Sequence, residues 1–413
     1  MTPYQLTGDE DQVRGLFTRD DALAGLVTAV VQQILEAQVA DHLQAQPYER
    51  TAERQGYRNG DKPRQLTTRV GPLELRVPQG RQGEFSTDLF LRFQRSEHAV
   101  LLALMEMVVQ GVSTRKVTKI TEDLCGTEIS KSTVSALCGR LAPVVRGWTE
   151  RPLGETPYPF LIVDALVLKA REDERVRARS ALIASAVTAA GYREIVGLTL
   201  GDSEAEARWG DFFASLKQRG LSGVDLVVSD HHGGVVQAVK THFQGASWQR
   251  CQTHFTANIR SAAPRAGQRE LKSHLRGLFT AADPRAARAL LQTVHAAFAT
   301  WAPKALEVLD AGFEDAIAVL ARPEPYRVRR RTTNAQERLN EELRRRERVI
   351  RIFPSRASVV RLLGALLMEW DEQWATGKRY LSMDLYWQWK QHQQQKGQAA
   401  PAAAETEGVT QVA

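Results

Sequence analysis

FLIVD at residues 160–164 and LVVSD at residues 226–230 decide the fold, because each is a short apolar run that ends in an aspartate. Such runs are typical of buried central strands. An acid at the carboxyl end of a central strand lies at the rim of the sheet, where open α/β sheets bind ligands. If the two strands are neighbours, the carboxylates of Asp164 and Asp230 face each other. The alternative is that each aspartate only caps the next loop or helix.

The sequence around these runs predicts strands and helices in alternation from about residue 156. Further strands are predicted at 181–188, 194–200 and 247–251, with one helix before and one helix after the strand that ends at Asp230. Three strands, helix, strand, helix and strand is the order of an RNase H-like fold. Residues 255–326 are rich in Ala and Arg and indicate only helices. We therefore expect a mixed α+β fold: an RNase H-like catalytic core at 156–254 and 327–386, interrupted by an all-α insertion at 255–326.

A third carboxylate is suggested by the segment 327–351, which holds ten arginines and four glutamates, a net charge of +6. It reads as a helix that begins near Asn334. Two carboxylates as close as those expected of Asp164 and Asp230 repel each other, and a bound divalent cation usually neutralises this repulsion. A glutamate within so basic a segment indicates a site that faces a polyanion and a metal together. Glu337 is favoured over Glu341 and Glu342 because it lies in the first turn. Its alternative role is an N-cap pair with Asn334.

Cys251 and His254 form a Cys-x-x-His pattern, which is half of a zinc site. No second Cys-x-x-Cys or His-x3-His follows, so zinc is disfavoured. His231 and His232 come directly after Asp230 and form a weak metal pattern. A histidine beside a carboxylate cluster can bond a phosphate, and a structural histidine is an equally good reading.

The first 150 residues suggest three regions. Residues 1–50 hold an amphipathic helix at about 20–43, which either packs on its own chain or forms a dimer seam. Residues 51–90 form a small β-rich element whose cations can track phosphates or protect an edge strand; they are Arg58, Lys62, Arg64 and Arg69. Residues 91–150 resemble a helix-turn-helix whose second helix offers Lys131, Ser132 and Thr133 to DNA. Many helical hairpins with this pattern bind nothing.

Composition limits the class of protein. The 413 residues include 55 Lys+Arg and 48 Asp+Glu, a net charge of +7 that permits nucleic acid as a partner. No signal peptide and no uninterrupted apolar run of about 20 residues is evident, so no membrane partner is expected. Three cysteines are too few and too scattered for a disulfide framework, which favours the cytoplasm. Residues 387–413 have low complexity and are predicted to be a disordered tail.

Several motifs occur in order at suitable spacing and resemble one family: GYRNG at 56–60, TTRVGPLELRVP at 67–78, FLIVDALVLK at 160–169, LVVSDHHGG at 226–234, WQRCQTHF at 248–255, TTNAQERLNEELRRR at 332–346 and IFPS at 352–355. Over roughly residues 45–385 the chain is similar to the Mutator-type transposases of bacterial insertion sequences, which are DDE transposases. The resemblance implies an RNase H-like core with an all-helical insertion between the second Asp and the Glu.

The resemblance also implies a site. Asp164, Asp230 and Glu337 take the DDE places and hold two Mg²⁺ or Mn²⁺ ions, which activate water for hydrolysis and then a DNA 3′-OH for strand transfer. Cys251 and His254 match the Cys/Asp-x-x-His signature of the family. His232 fits the expected histidine, whereas His231 replaces a small residue.

The expected partners are double-stranded DNA, as terminal inverted repeats and as target, and at least a second copy of the chain. Arg338, Arg344 and Arg345 are expected to contact DNA beside Glu337, in the bacterial cytoplasm at the nucleoid. Two other functions stay open: an RNase H-like nuclease without strand transfer, and a domesticated DNA-binding regulator.

Overall fold

The computed structural model describes residues 22–68, 70–81, 98–110, 112–125, 129–154, 156–202 and 204–404, together with 85, 87 and 89. The chain divides into two compact units, Met1–Arg140 and Leu141–Ala413. The expected 91–150 region spans this division. The fold is mixed α/β, with one two-stranded and one five-stranded sheet among the described residues.

In the first unit, helix α1 (Ala22–Leu43) packs against an antiparallel hairpin of β1 (Arg58–Thr68) and β2 (Gly71–Gly80). Leu35 of the helix and Leu66, Leu73 and Leu75 of the hairpin form a buried apolar cluster. The apolar face of α1 is therefore covered by the hairpin, which follows residue 50 in the sequence. The helix packs on its own chain. A dimer seam stays a prediction.

Helix α1 is also long and apolar enough, over Leu23–Leu43, to cross a bilayer. Core helices and signal sequences meet the same criterion, so one such helix is weak evidence for a membrane span. Its Gln32 side chain both donates to the Arg76 carbonyl oxygen (2.8 Å) and accepts from the Arg76 N–H (3.0 Å), which ties the helix to β2.

Three further helices lie in the described part of the first unit: α2 (His98–Val109), α3 (Thr114–Cys125) and α4 (Lys131–Gly139). Their contacts bury Leu104, Val117 and Val134 in a small core of their own. Ser130 caps α4, since its hydroxyl accepts from the Thr133 N–H at 3.2 Å. Both helices of the predicted pair are therefore present, whereas residues 126–128 between them lie outside the described residues; the binding of the pair to DNA is taken up below.

The second unit is built on five strands: β3 (Phe160–Glu172), β4 (Arg175–Val187), β5 (Arg193–Gly201), β6 (Leu226–Ser229) and β7 (Ser247–Arg250). Their spatial order is β5-β4-β3-β6-β7. Strand β4 runs antiparallel to both β3 and β5, whereas β6 is parallel to β3 and β7 is parallel to β6. All five predicted strands are present, and β3 and β4 extend further than expected into a long hairpin.

Helices cover both faces of this sheet because its central strands are apolar on both faces. Leu161 and Val163 of β3 pack with α6 (Glu206–Gln218) and α7 (Gly233–His242). Phe160 and Ile162 alternate to the opposite face. By the same alternation Asp164 lies on the Phe160 face.

The Phe160 face is covered by helices, as the sequence predicts for 255–326: α8 (Gln252–Ala262), α9 (Gln268–Phe279), α10 (Pro284–Phe298), α11 (Pro303–Asp310), α12 (Phe313–Ile317), a 3₁₀ turn (Ala318–Ala321) and α13 (Glu324–Arg330). Two long helices follow, α14 (Asn334–Ile350) and α15 (Arg356–Thr376). Helix α5 (Leu141–Thr149) contacts α15, where the Trp148 Nε1–H donates to Asp371 Oδ2 at 3.0 Å.

The predicted disorder from residue 387 is wrong for the part described, because helix α16 runs over Asp384–Ala404. Trp387 donates to the Ala189 carbonyl oxygen at 3.1 Å, and Lys390 pairs with Asp225. Glutamine and alanine suit a helix as well as a coil, and the aromatic residues at its start attach it to the core. Residues 405–413 lie outside the described residues.

Candidate active site

Asp164 and Asp230 lie side by side in the five-stranded sheet at the level where β6 ends, which we call the rim. Asp230 directly follows β6, whereas the expectation that Asp164 also ends its strand is wrong, because β3 continues to Glu172 in its hairpin with β4. Strands β3 and β6 are parallel neighbours in which Phe160 pairs with Leu226 and Ile162 with Val228. Continued by two residues, this register places Asp164 opposite Asp230. Adjacent strands are about 4.8 Å apart, so the two carboxylates share one site.

Asp164 is held by two hydrogen bonds from opposite sides. The Ala165 N–H donates to Oδ1 at 2.8 Å, and Asn340 Nδ2 donates to Oδ2 at 2.7 Å. Burial, and then the negative charge of Asp230, raise the pKa of Asp164 to about 7. The raised pKa means that the negative charge of ionised Asp164 is poorly compensated by the surrounding residues.

Helix α14 brings the third carboxylate. Its first turn begins after Thr333, which is fully buried, and the Glu337 N–H donates to the Thr333 carbonyl oxygen at 2.9 Å. The alternative reading of Asn334 as the N-cap is wrong, because Asn334 is already helical and its Oδ1 accepts from Thr253 at 3.1 Å. The Glu337 side chain is therefore not used as a capping-box partner.

His254 links the carboxylates of two elements. Its Nδ1 lies 2.5 Å from Asp230 Oδ1 and 3.6 Å from Glu337 Oε1. Both Nδ1 and Asp230 Oδ1 are buried atoms, and their close contact pairs the imidazole with the carboxylate. Asp230, followed by Cys251, raises the pKa of His254 to about 11. The imidazole is therefore a cation that offsets part of the negative charge at the rim.

Cys251 is fully buried next to His254 and Asp230. Its Sγ accepts from the Thr333 N–H at 3.4 Å, and Thr333 Oγ1 lies 3.3 Å from Sγ and 3.1 Å from Glu337 Oε1. Burial by itself raises the pKa of the thiol, but the hydrogen bonds from His254 and Thr333 together lower it. Cys251 thus ties the end of β7 to the start of α14.

The Cys-x-x-His pattern also gains a third possible metal ligand. Ligand atoms of Asp230, Cys251 and His254 all lie within 4.8 Å of one another. The sequence offers no second half of a zinc site among cysteines and histidines, and the structure adds an aspartate instead. Three donors without a fourth do not complete the tetrahedral set of a structural zinc site.

The other histidine candidate is placed differently. His232 is exposed and occupies the N-cap position of α7 without a capping hydrogen bond from its side chain. Within the described residues its imidazole makes no contact with Asp164, Asp230 or Glu337.

The cationic residues predicted in the first unit lie on β1 and α4. Arg58 pairs with Glu36 of α1, so part of its charge is already compensated. Lys62 is exposed, Arg64 is half-buried, and Arg69 lies outside the described residues.

In α4, Lys131, Ser132 and Thr133 are all exposed at the N-terminus of the helix. The hydroxyl of Ser130 lies 2.8 Å from that of Ser132 and 2.9 Å from that of Thr133. Lys131 therefore presents a charge to solvent, whereas the two hydroxyls are engaged in the cap.

On α14, Arg338, Arg344 and Arg345 are exposed, as expected for contacts with DNA. Arg345 pairs with Glu342 at 2.9 Å, as does Arg346 at 2.5 Å, so Glu342 belongs to a charge pair on the helix. Glu341 is exposed. Of the three glutamates, Glu337 is the one that contacts the rim residues.

Two contacts of the site, those of Thr333 and Asn340, were not predicted. The only signal in the sequence is spacing, since Asn340 follows Glu337 by three residues and so shares its face of the helix. That Asn340 donates to Asp164, and Thr333 to Cys251 or Glu337, depends on how α14 crosses the sheet.

Comparison with known proteins decides the family. A sequence model described as "Transposase, Mutator family" matches residues 3–377. The chain belongs to the Mutator family of transposases. Members of this family are enzymes that act on DNA.

Its relatives include the transposase for insertion sequence element IS256 in transposon Tn4001 of Staphylococcus aureus, which is 42% identical over 93% of this chain and 100% of the relative. The transposase for ISRM5 of Rhizobium meliloti is 42% identical over 89% of this chain and 92% of the relative. A solved structure titled "Drosophila P element transposase strand transfer complex" aligns with a TM-score of 0.30 at 10% identity, over 75% of this chain and 87% of that one. That likeness is too remote to inform on the site.

Proposed function

We propose that this Mutator-family transposase binds the terminal inverted repeats of an insertion sequence and catalyses metal-dependent DNA cleavage and strand transfer, with Asp164, Asp230 and Glu337 as its DDE carboxylates. The observation that carries the proposal is the register of β3 and β6, which sets two aspartates side by side where α14 delivers Glu337.

The strand arrangement supports an RNase H-like core. Three antiparallel strands followed by two parallel ones, in the order β5-β4-β3-β6-β7, is the arrangement of that fold. The all-α segment between β7 and α14 then corresponds to the insertion between the second Asp and the Glu. It separates the carboxylates along the chain but not in space.

The donors at the rim fit hard divalent cations. Carboxylate oxygens are the ligands that Mg²⁺ and Mn²⁺ prefer. Burial and the neighbouring charge of Asp230 raise the pKa of Asp164, so a cation bound at this site would compensate a charge that the chain compensates poorly. Asp164, Asp230 and Glu337 would hold the ions, and two bound ions would activate water or a 3′-OH and stabilise the leaving oxygen.

The surrounding residues prepare this site. Asn340 fixes one oxygen of Asp164 by donating a hydrogen bond to it. His254 keeps a positive charge between Asp230 and Glu337. The side chains of Asp230 and Glu337 are 38% and 33% exposed, so a DNA strand can reach them.

The first unit would recognise the element ends. In this proposal α3 and α4 act as the helix-turn-helix, and the hairpin of β1 and β2 follows phosphates through Lys62 and Arg64. Both element ends must be joined in one reaction, so the active form is a dimer or a larger assembly. The reaction takes place in the cytoplasm, on DNA of the nucleoid.

The test uses the full chain with oligonucleotide duplexes that carry one end of the inverted repeats flanking the gene. We expect cleavage at the end and joining to a target duplex, both dependent on Mg²⁺ or Mn²⁺. Cleavage without joined products would indicate a nuclease. Specific binding without metal-dependent cleavage would indicate a regulator and would overturn the proposal.

A further inference from the structure

Four arginines from three elements form a cluster on the Phe160 face of the sheet. We call Arg193, Arg329, Arg330 and Arg338 the arginine cluster. Arg193 opens β5, Arg329 and Arg330 end α13, and Arg338 lies in the first turns of α14. Burial, and the charges of Arg329 and Arg338, lower the pKa of Arg193. The positive charges of these arginines therefore repel one another.

Aromatic rings hold three of these arginines, Arg193, Arg329 and Arg330, in place. The guanidinium carbon of Arg193 lies 4.0 Å from the ring centre of Trp374 and 4.4 Å from that of Tyr380. Arg329 and Arg330 lie over the same Tyr380 ring at 4.6 Å and 5.1 Å. A guanidinium stacked on a ring uses its face and leaves its N–H edges available for hydrogen bonds. One N–H of Arg329 donates to the Tyr380 carbonyl oxygen, and its other N–H groups remain for a ligand.

The charge of the cluster is not compensated by acids. Within the described residues, none of the four arginines pairs with a carboxylate, whereas Arg151 pairs with both Glu194 and Asp371. Arg330 is fully buried, and none of its three guanidinium nitrogens has a hydrogen-bond partner there. Burying an unpaired cation is costly, and a polyanion at the adjacent surface is the natural compensation.

The cluster also lies within reach of the carboxylates. Arg330 lies over the ring of Phe160 at 5.2 Å, and Phe160 precedes Asp164 by four residues on β3. Four strand residues span about 13 Å, which a DNA strand covers in about four nucleotides at 3.4 Å each.

We propose that the arginine cluster, oriented by Trp374 and Tyr380, binds the phosphodiester backbone of the DNA strand adjoining the cleavage site. Arg193, Arg329 and Arg338 would contact phosphates, and Arg330 would add positive potential from behind Tyr380. This inference rests on the proposed function. It places Arg338, already expected to contact DNA, in a shared site with Arg193, Arg329 and Arg330, to which neither the sequence nor the family match gives a role.

The contacts are with phosphates and not with bases, because the ring faces that would stack on bases already carry guanidinium groups. Binding through this surface is therefore independent of base sequence. Loss of the cluster should weaken the binding of cognate and scrambled duplexes by the same factor.

The test measures DNA binding by the full chain in EDTA, so that cleavage plays no part. The double variant Arg193→Gln with Arg329→Gln should lower affinity about 10-fold to 100-fold and reduce the slope of log K against log salt by about 2. Its control, Arg265→Gln with Arg285→Gln, removes two exposed charges elsewhere in the same unit and should leave the slope nearly unchanged.

A second variant separates orientation from charge. Trp374→Leu keeps every charge of the cluster but removes the ring against which Arg193 is stacked, and it should weaken binding by several-fold. Circular dichroism confirms that each variant is folded.

The inference is overturned if both cluster variants bind with the wild-type constant and slope, or if the scrambled duplex is unaffected. This failure is separate from that of the proposed function. If the wild-type chain cleaves DNA and the cluster substitutions leave DNA binding unchanged, only the role of the arginine cluster is refuted. If the wild-type chain shows no metal-dependent cleavage, only the proposed chemistry is refuted.

Discussion

Replacing Asp164 by Asn should abolish cleavage and at the same time stabilise the metal-free protein. The pKa of Asp164 is raised from the ordinary value of 3.8 to about 7, chiefly by burial. The native state therefore binds this proton more tightly than the unfolded chain does. Ionisation costs the native state nothing below about pH 4, an increasing amount from pH 4 to 7, and the full amount above pH 7.

The difference between the two pKa values corresponds to about 4 kcal/mol of lost stability above pH 7. Asparagine carries no charge and keeps the hydrogen bonds. Its Oδ1 can accept from the Ala165 N–H, and the amide of Asn340, whose Oδ1 has no partner now, can turn to accept from the new Nδ2. We expect a gain of about 2–4 kcal/mol at pH 8, or roughly 4–8 °C in Tm for a domain of this size.

Thermal denaturation in EDTA at pH 8 and pH 5 measures the effect, with the exposed Asp211→Asn as control. The advantage of Asp164→Asn should shrink at pH 5, where wild-type Asp164 is itself mostly protonated. Added Mg²⁺ should stabilise the wild type more than the variant. A well-folded Asp164→Asn protein that melts at or below the wild-type temperature at pH 8 would refute the reasoning.

Three other predictions concern the surroundings of the carboxylates. Asn340→Ala removes a hydrogen bond to Asp164 and should lower the cleavage rate about 10-fold to 100-fold with little change in DNA affinity; unchanged rates would remove Asn340 from the site. Elemental analysis of the purified protein should find no stoichiometric zinc, and one zinc per chain would show that Asp230, Cys251 and His254 form a metal site of their own. Binding of a cognate end should weaken when Lys131 is changed to Gln, with a salt slope lower by about 1, and an unaltered slope would exclude Lys131 from the phosphate contacts.

The sequence was sufficient to predict the strands and the aspartate at the end of β6, because burial of a central strand requires an unbroken apolar run. It did not predict that β3 continues for eight residues beyond Asp164, because that extension depends on pairing with β4. Glu337 could be chosen over Glu341 and Glu342 from its place in the first turn of α14. The chain approaches the sheet just before this turn, so the first turn lies closest to the sheet.

Other features depended on contacts between distant parts of the chain. The capping reading of Asn334 failed because Thr253, which lies at the start of α8, competes for its side chain. The partner layer of α1 comes after residue 50, and the helix over Asp384–Ala404 is fixed by contacts of Trp387 and Lys390 with segments far away in sequence. Likewise, nothing in the arginine-rich sequence around Arg330 predicts that this arginine is buried without a hydrogen-bond partner.

The most direct test of the central claim compares Glu337→Gln with Glu341→Gln in Mg²⁺-dependent cleavage of a cognate element end. Glutamine keeps the size of the side chain and the contact with Thr333 but removes the charge, so Glu337→Gln should fold and bind DNA as the wild type does while cleavage is lost. Glu341→Gln changes an exposed residue on the same helix and should retain cleavage. Near-wild-type cleavage by Glu337→Gln would contradict the assignment of the third carboxylate and leave Glu341 as the candidate.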